Sequence, residues 1–404
     1  MDVWHAVSQY QERHGSPEFE EFVHPAISER AQPFTMRVPA SFLPWDRKNG
    51  VIAMLRRDKQ LAMCRCGVVL AGIYFQLENA IQSQVPVALK AMDRRQLQVQ
   101  RDDVESEVRV MAQLQMAGVD APLSNPYVIR WEHGQDAHNQ YLATEFVANG
   151  SLQSYAHKKI RALMLTHLQR FIDTHGDGPT RLECVAYVYR GAGNEWMRES
   201  LEIFQGIIRG LTYLHAQGVA HLDLDIYNVA IDKALQPRII DYGSGQIMDH
   251  RQVVGAGYVG VKCKPLFVAP EVVAHAKRPT PRPGFLGPQA DLWSVGVVLV
   301  QCVVWGFRGG PSFLTSNANW RKIVFAHIDA KCPDERACFL CQNFIVIPPL
   351  VGVIIKQLLH LDPLQRPSAY DVAIALQEER PPALFALLPP TRSRVRQATD
   401  DAAC

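Results

Sequence analysis

No basic segment followed by an apolar run opens this chain; Met-Asp-Val-Trp-His-Ala has neither, so no secretory signal is expected. No uninterrupted apolar stretch reaches bilayer-spanning length, since residues 295–305 are too few and include Gln301. There is little net charge of either sign. A formal +2 argues against a dedicated nucleic-acid or membrane-surface binder. Nor is there an even, regularly spaced set of cysteines. Nine, irregularly placed, exclude a disulfide framework and imply reduced thiols in a cytoplasmic or nuclear compartment. No internal repeat is visible, which excludes a solenoid.

What is present is length and apolar content. A chain of 404 residues, 48% hydrophobic, suffices for a large core and fits a two-lobed unit with extensions. Residues 1–60 show no sustained period and are read as an N-terminal extension. From 61 to 92 the pattern is strand-like, with Val68-Val69-Leu70 and the apolar run 85–92. Residues 96–116 are predicted helical, because Val104, Val108, Met111 and Leu114 recur at three- and four-residue spacing. Strands are predicted at 127–133 and 140–147, and Asn149-Gly150 reads as a turn. Beyond Ser151 the chain turns helical, with helices predicted at 198–217, 289–307, 348–360 and 370–378. Between Ser151 and the first of them, about 156–195 reads as an insertion holding the loop signals Asp177-Gly178-Pro179 and Gly191-Ala192-Gly193. Another Pro/Gly-rich loop is expected at 279–288. Residues 381–404 carry mixed charge and no period, and are read as a disordered tail. Strands with one helix followed by mostly helices give an α+β arrangement in two lobes.

The densest chemistry lies between His221 and Gly243: His-Leu-Asp-Leu-Asp-Ile-Tyr-Asn-Val-Ala-Ile-Asp, eight residues, then Asp-Tyr-Gly. Asp223, Asn228 and Asp241 fall on two short loops flanking a β-hairpin. Phosphoryl transfer needs such a set, one carboxylate to orient a hydroxyl and two oxygen donors for Mg²⁺ on a triphosphate.

This segment resembles the catalytic and metal loops of protein kinases. Gly67-Val68-Val69-Leu70-Ala71-Gly72 looks like the family's glycine loop with Val69 in the middle, and Val87-Ala88-Leu89-Lys90 like its phosphate-binding strand. Further on, Pro265-Leu266-Phe267-Val268-Ala269-Pro270-Glu271, Asp291-Leu292-Trp293-Ser294-Val295-Gly296 and Asp362-Pro363-Leu364-Gln365-Arg366-Pro367 follow in the family's order. The resemblance covers 61–376. It implies a two-lobed kinase-like domain at 61–380, with a small β-rich N-lobe at 61–147 bearing one helix and a larger helical C-lobe at 151–380.

The resemblance also implies roles. Asp223 is the base, Asn228 and Asp241 hold Mg²⁺ (or Mn²⁺), and Lys90 grips the ATP phosphates with Glu107, rather than Glu105, as its partner. Gly67 and Gly72 cradle phosphate. Tyr74 and Ala88 form the adenine ceiling, Ala230 the floor, Thr144 the gatekeeper, and the Glu145 and Val147 backbones the adenine contacts. His221, Tyr242 and Met111 stack beneath, anchored by Asp291, and Arg366 pairs with Glu271. That last pair disfavours a small-molecule kinase.

Two residues depart from the family pattern. Leu222 replaces the arginine that reads a phosphorylated activation loop. Between Tyr242 and Ala269 only Ser244 and Tyr258 carry hydroxyls, so activation without loop phosphorylation is expected. Asp225 replaces the lysine that steadies the γ-phosphate, and Lys264 stands where the family has a threonine. Either the two charges have exchanged places, or they are independent surface charges. The implied activity is transfer of the γ-phosphate of Mg-ATP to a protein hydroxyl, serine or threonine. The alternative is a pseudokinase acting as a nucleotide-binding or scaffolding module. Partner contacts are expected through 1–60 or 156–195. Cys332, Cys338 and Cys341 are read as buried thiols beside a loop; the alternative, a structural zinc, wants a fourth ligand, and His327 is nearest.

Overall fold

The computed structural model describes residues 19–25, 32–40, 42–45, 50–54, 60–78, 81–100, 104–116, 131–175, 180–255, 258, 263–278 and 284–378. The expected tail at 381–404, the turn at 177–179 and most of the loop at 279–288 lie outside these residues. The chain divides into two compact units, one of residues 1–111 with 129–147, the other of 112–128 with 148–404.

The first unit is built on strands. In chain order they are β1 (Phe19–His24), β2 (Phe34–Pro39), β3 (Phe42–Trp45), β4 (Gly50–Met54), β5 (Gln60–Cys64), β6 (Gly67–Glu78) and β7 (Ile81–Asp93). Helices α1 (Arg94–Gln100) and α2 (Val104–Met116) follow, then β8 (Trp131–Gln135) and β9 (Asn139–Glu145). The sheet order is β3-β4-β6-β7-β9-β8. Strand β5 pairs with the first half of β6, and β4 with the second half, from Gly72 to Gln76. The segment expected to be a separate extension therefore supplies two strands to the sheet, and β1–β2 forms a hairpin beside it.

Strand alternation sorts this sheet into two faces. Val68, Tyr74, Val87, Leu89, Ala91, Tyr141 and Ala143 lie on one face with Leu43 and Ile52, and Met36 and Val38 of β2 cover them. Each valine, leucine, isoleucine and methionine among them gains about 1.5–3 kcal/mol on full burial. The opposite face carries Val69 directly across from Lys90, Ala71 across from Ala88, and Leu142 and Thr144 on β9. On α2 the buried positions are Val104, Glu107, Val110, Met111 and Leu114. Val110, rather than the expected Val108, joins the inward stripe.

The second unit is mainly helical. Helices α3 (Leu152–His175) and α4 (Arg181–Ala216) pack against each other across the region expected to be a loop-rich insertion. Thr180 starts α4 with a capping box, its hydroxyl accepting the Glu183 N–H while the Glu183 carboxylate accepts the Thr180 N–H. The predicted loop at Gly191-Ala192-Gly193 is helical. A Cβ on Gly191 would meet the His167 ring at 2.4 Å, and one on Gly193 the Phe307 ring at 2.6 Å. These glycines mark close approach, not a turn.

Short strands β10 (Val219–Ala220), β11 (Val229–Ile231), β12 (Pro237–Ile239), β13 (Gln246–Ile247), β14 (Val253–Val254) and β15 (Phe285–Leu286) pair two by two, β10 with β13, β11 with β12 and β14 with β15. Helix α5 (Pro270–Lys277) precedes α6 (Gly287–Trp305). Helix α6 is long and apolar enough to cross a membrane, but 94% of it is buried, packed by α4 and by α10 (Pro349–Leu358). Between them lie α7 (Gly310–Ser316), α8 (Trp320–Ile328) and α9 (Phe339–Gln342); α11 (Ala369–Gln377) packs on α4.

Candidate active site

In the first unit, Lys90 leaves β7 on the face opposite the buried apolar cluster. Its Nζ lies 2.9 Å from Oε2 and 3.3 Å from Oε1 of Glu107. Glu107 is 3% exposed, whereas Glu105 points to solvent. The structure thus pairs Lys90 with the residue expected from the helix pattern. Ala88 and Thr144 are direct cross-strand neighbours, and the Thr144 hydroxyl reaches the Ala88 carbonyl at 3.4 Å. Beyond β9, the Phe146 N–H donates to the Pro86 carbonyl at 2.9 Å, which holds the 145–147 backbone against β7.

Two expected residues fall elsewhere. Gly72 lies in mid-strand between Val87 and Met54, and Tyr74 belongs to the buried cluster under β2. Both sit on the sheet face away from Lys90, so neither can line the wall that bears it. The reason is register: side chains alternate, and Val69 is the residue opposite Lys90. The turn that leads into this face is Arg65-Cys66, between β5 and Gly67. A Cβ on Gly67 would come within 1.9 Å of the Ala91 carbonyl oxygen, so glycine is required there. Buried His24, missed in the sequence, braces this turn through Nε2, 3.0 Å from the Cys64 carbonyl and 3.1 Å from that of Gly67.

In the second unit the loop from His221 to Asn228 is held from below. Asp291, fully buried on α6, accepts the N–H of His221 at 2.8 Å and of Leu222 at 2.7 Å, and lies 3.0 Å from His215 Nε2. Those bonds hold Leu222 at φ 60°, a left-handed conformation that a leucine adopts only under constraint. The His221 ring lies 5.3 Å from that of Tyr242 and its Nε2 lies 3.0 Å from the Ile240 carbonyl oxygen, so it is a packed residue with its ring committed.

Asp223 lies above this support. The Asn228 amide donates to the Asp223 carbonyl at 2.7 Å and to Oδ2 at 3.2 Å. Oδ1 is buried with no hydrogen-bond partner among the described residues. Burial pushes the Asp223 carboxyl up to about 6, with Asp225 and Asp241 adding to the rise against the pull of His221 and Lys264. Asp241 is exposed and also left-handed, at φ 63°. Ala230 is buried on β11 and bridges to Ser151.

Asp225 and Lys264 form an ion pair. Asp225 is fully buried and also accepts the N–H of Tyr227 at 2.7 Å and of Asn228 at 3.0 Å. Lys264 is half-exposed, with its Nζ 4.9 Å from the centre of the Tyr227 ring. Burial pulls its ammonium down, but Asp225 and Asp223 more than offset that and hold it above its ordinary value. They are not independent surface charges. Ser244 and Tyr258, the two hydroxyls of this segment, are both buried. Downstream, Arg366 makes a two-pronged pair with Glu271 at 2.6 and 3.0 Å and donates to the Gln289 and His360 carbonyls.

A family model for the protein kinase domain matches residues 72–375. The chain is similar to serine/threonine-protein kinase PLK4 of Drosophila virilis, 25% identical over 241 residues, which covers 59% of this chain and 24% of that protein. It is 27% identical to PLK4 of Drosophila persimilis over 241 residues with the same coverage. Ephrin type-A receptor 8 of Homo sapiens is 26% identical over 239 residues, 58% of this chain and 19% of the receptor. The chain spans about a quarter of the length of the PLK4 proteins it matches.

Proposed function

The chain belongs to the protein kinase domain family, and from that premise we propose that it transfers the γ-phosphate of ATP to a serine or threonine hydroxyl of a protein. The observation that carries this reading is the state of Asp223. Its half-buried carboxylate is oriented by Asn228, yet one oxygen, Oδ1, has no hydrogen-bond partner among the described residues. Such an oxygen can accept the proton of an incoming hydroxyl as the oxygen attacks the γ-phosphorus and the bond to the β-phosphate oxygen breaks, leaving ADP.

The other residues take supporting roles. Asn228 commits its amide nitrogen to Asp223, which leaves its oxygen for a hard cation, and Asp241 offers a solvent-facing carboxylate. Bound between these oxygens, Mg²⁺ or Mn²⁺ would neutralise charge on the triphosphate. Lys90, positioned by Glu107, is assigned to the α- and β-phosphates, and the turn from Cys64 to Gly67 replaces Gly72 as the backbone that meets them. Ala88, Val69, Thr144, Ala230 and the backbones of Glu145 and Val147 are assigned to the adenine. With Leu222 in place of a phosphate-binding arginine and with Ser244 and Tyr258 buried, catalysis proceeds without phosphorylation of the 242–269 segment.

The test is transfer of label from γ-labelled ATP, with Mg²⁺ or Mn²⁺, to a generic protein acceptor, before and after phosphatase treatment. Label should appear on serine or threonine at an unchanged rate after treatment. Failure of transfer with either metal, despite a Tm increase on nucleotide addition, would replace this reading with a nucleotide-binding module.

A further inference from the structure

Far along the chain from the residues so far described, the segment following α8 gathers three cysteines and a histidine. His327 is the penultimate residue of α8, Cys332 lies in the loop beyond it, Cys338 precedes α9, and Cys341 is within it. One donor atom from each of the four lies within 4.8 Å of all the others. The measured edges are 3.6 Å from Cys332 Sγ to Cys338 Sγ, 3.4 Å from Cys341 Sγ to His327 Nδ1, and 4.0 Å from Cys332 Sγ to the same nitrogen. A tetrahedral zinc with Zn–S of about 2.3 Å and Zn–N of about 2.0–2.1 Å sets its sulfurs about 3.8 Å apart, and sulfur and nitrogen about 3.5 Å apart. A disulfide would need about 2.05 Å.

The imidazole is prepared for this use. His327 Nε2 lies 2.8 Å from the Ile345 carbonyl oxygen, a group that can only accept. The proton therefore sits on Nε2, and the Nδ1 lone pair faces the sulfurs.

The surrounding chain also needs such a tie. Residues 329–348 hold no regular structure except the single turn of α9, and 333–337 are exposed throughout. What this stretch gives the core is small: Leu340 and Ile345 are buried, and Phe339 stacks on Phe313 at 4.7 Å. An irregular stretch of this length with so little apolar anchorage is uncommon unless stapled.

We propose that His327, Cys332, Cys338 and Cys341 bind one structural Zn²⁺ that fastens the 329–345 loop to α8. Three sulfurs and one nitrogen close all four positions, which marks the site as structural rather than catalytic, and the soft ligands select zinc over Mg²⁺ or Ca²⁺. The proposal takes up the alternative to buried thiols that the sequence left open, and it stands apart from the phosphotransfer reading.

The test uses the full chain, expressed with zinc and purified under reducing conditions. Elemental analysis should give one zinc per chain, and a zinc chelator should lower the Tm. Exchange with Co²⁺ should give the visible bands of a four-coordinate ion together with sulfur-to-cobalt charge transfer. Cys341→Ser and His327→Ala should reduce bound zinc at least tenfold. Cys184→Ser, on α4 and outside the cluster, should retain it. The wild-type cobalt spectrum decides the matter even where a variant fails to fold. Zinc below about a tenth of an equivalent with all three thiols freely reactive, a disulfide among them, or a cobalt spectrum without thiolate bands would overturn the proposal.

Discussion

At the scale of single residues, the pair of Asp225 and Lys264 decides whether the departure from the family pattern is a loss or a rearrangement. A buried carboxylate near a triphosphate would repel it; one already bound to an ammonium and two backbone N–H groups does so far less. Removing Lys264 leaves Asp225 buried without its cation. Lys264→Ala should therefore lower turnover about a hundredfold, the scale of losing one electrostatic stabiliser. Asp225→Lys alone places two ammoniums together and should also be harmful, while Asp225→Lys with Lys264→Thr should recover activity. A double-mutant cycle on turnover measures the coupling, and simple additivity would show that the two residues act independently rather than as an exchanged pair.

Asp223 makes a second prediction at this scale. Burial raises its carboxyl to about 6, so the ionised form needed of a base is present above that pH and lost below it. The kcat/KM profile should climb tenfold per pH unit up to about pH 6 and level off beyond it. Folding stability has the opposite sign. The cost of burying the charge is fully present above pH 6 and disappears as pH falls below the ordinary carboxylate value. A flat profile through pH 5–7 would exclude Asp223 as the proton acceptor.

At the scale of elements, the α3–α4 pair shows how one residue type carries two meanings. Gly191-Ala192-Gly193 reads as a loop in sequence because glycine is the commonest turn residue. The same glycines serve where a side chain would strike a neighbouring ring, and only the packed partner, Phe307 or His167, distinguishes the cases. Gly193→Leu should overpack this contact at about 1–3 kcal/mol, lowering Tm by several degrees in thermal unfolding. An unchanged Tm would mean that α4 does not approach Phe307 this closely. The β6 strand taught the same lesson. Glycine spacing suggested a phosphate loop at 67–72, but the register with β7 put Gly72 and Tyr74 on the far face. Periodicity reports a face only once the pairing strand is known.

At the scale of the whole molecule, the fold class was legible because strands precede helices and because motifs whose chemistry demands particular residues occur in order. Lys90 with Glu107 and Glu271 with Arg366 each joined in space as the sequence implied. What stayed hidden had no period or spacing of its own: His24 bracing a turn forty residues on, or strands β3 and β4, each only four or five residues long. The zinc ligands were visible as residues but not as a tetrahedron, since nothing in spacing says that α8 returns His327 to the Cys-Phe-Leu-Cys turn.

The union of β4 with β6 sets a limit on how this chain can be shortened. The family match begins at Gly72, halfway along β6, yet from Gly72 to Gln76 that strand is paired with β4, whose Ile52, with Leu43 of β3, extends the apolar face that Met36 and Val38 cover. A fragment cut at the match would bare both the hydrogen-bonding edge and the greasy face beside it. It would offer every other copy a strand to dock on, so that what precedes the recognisable domain acts as its guard against self-association.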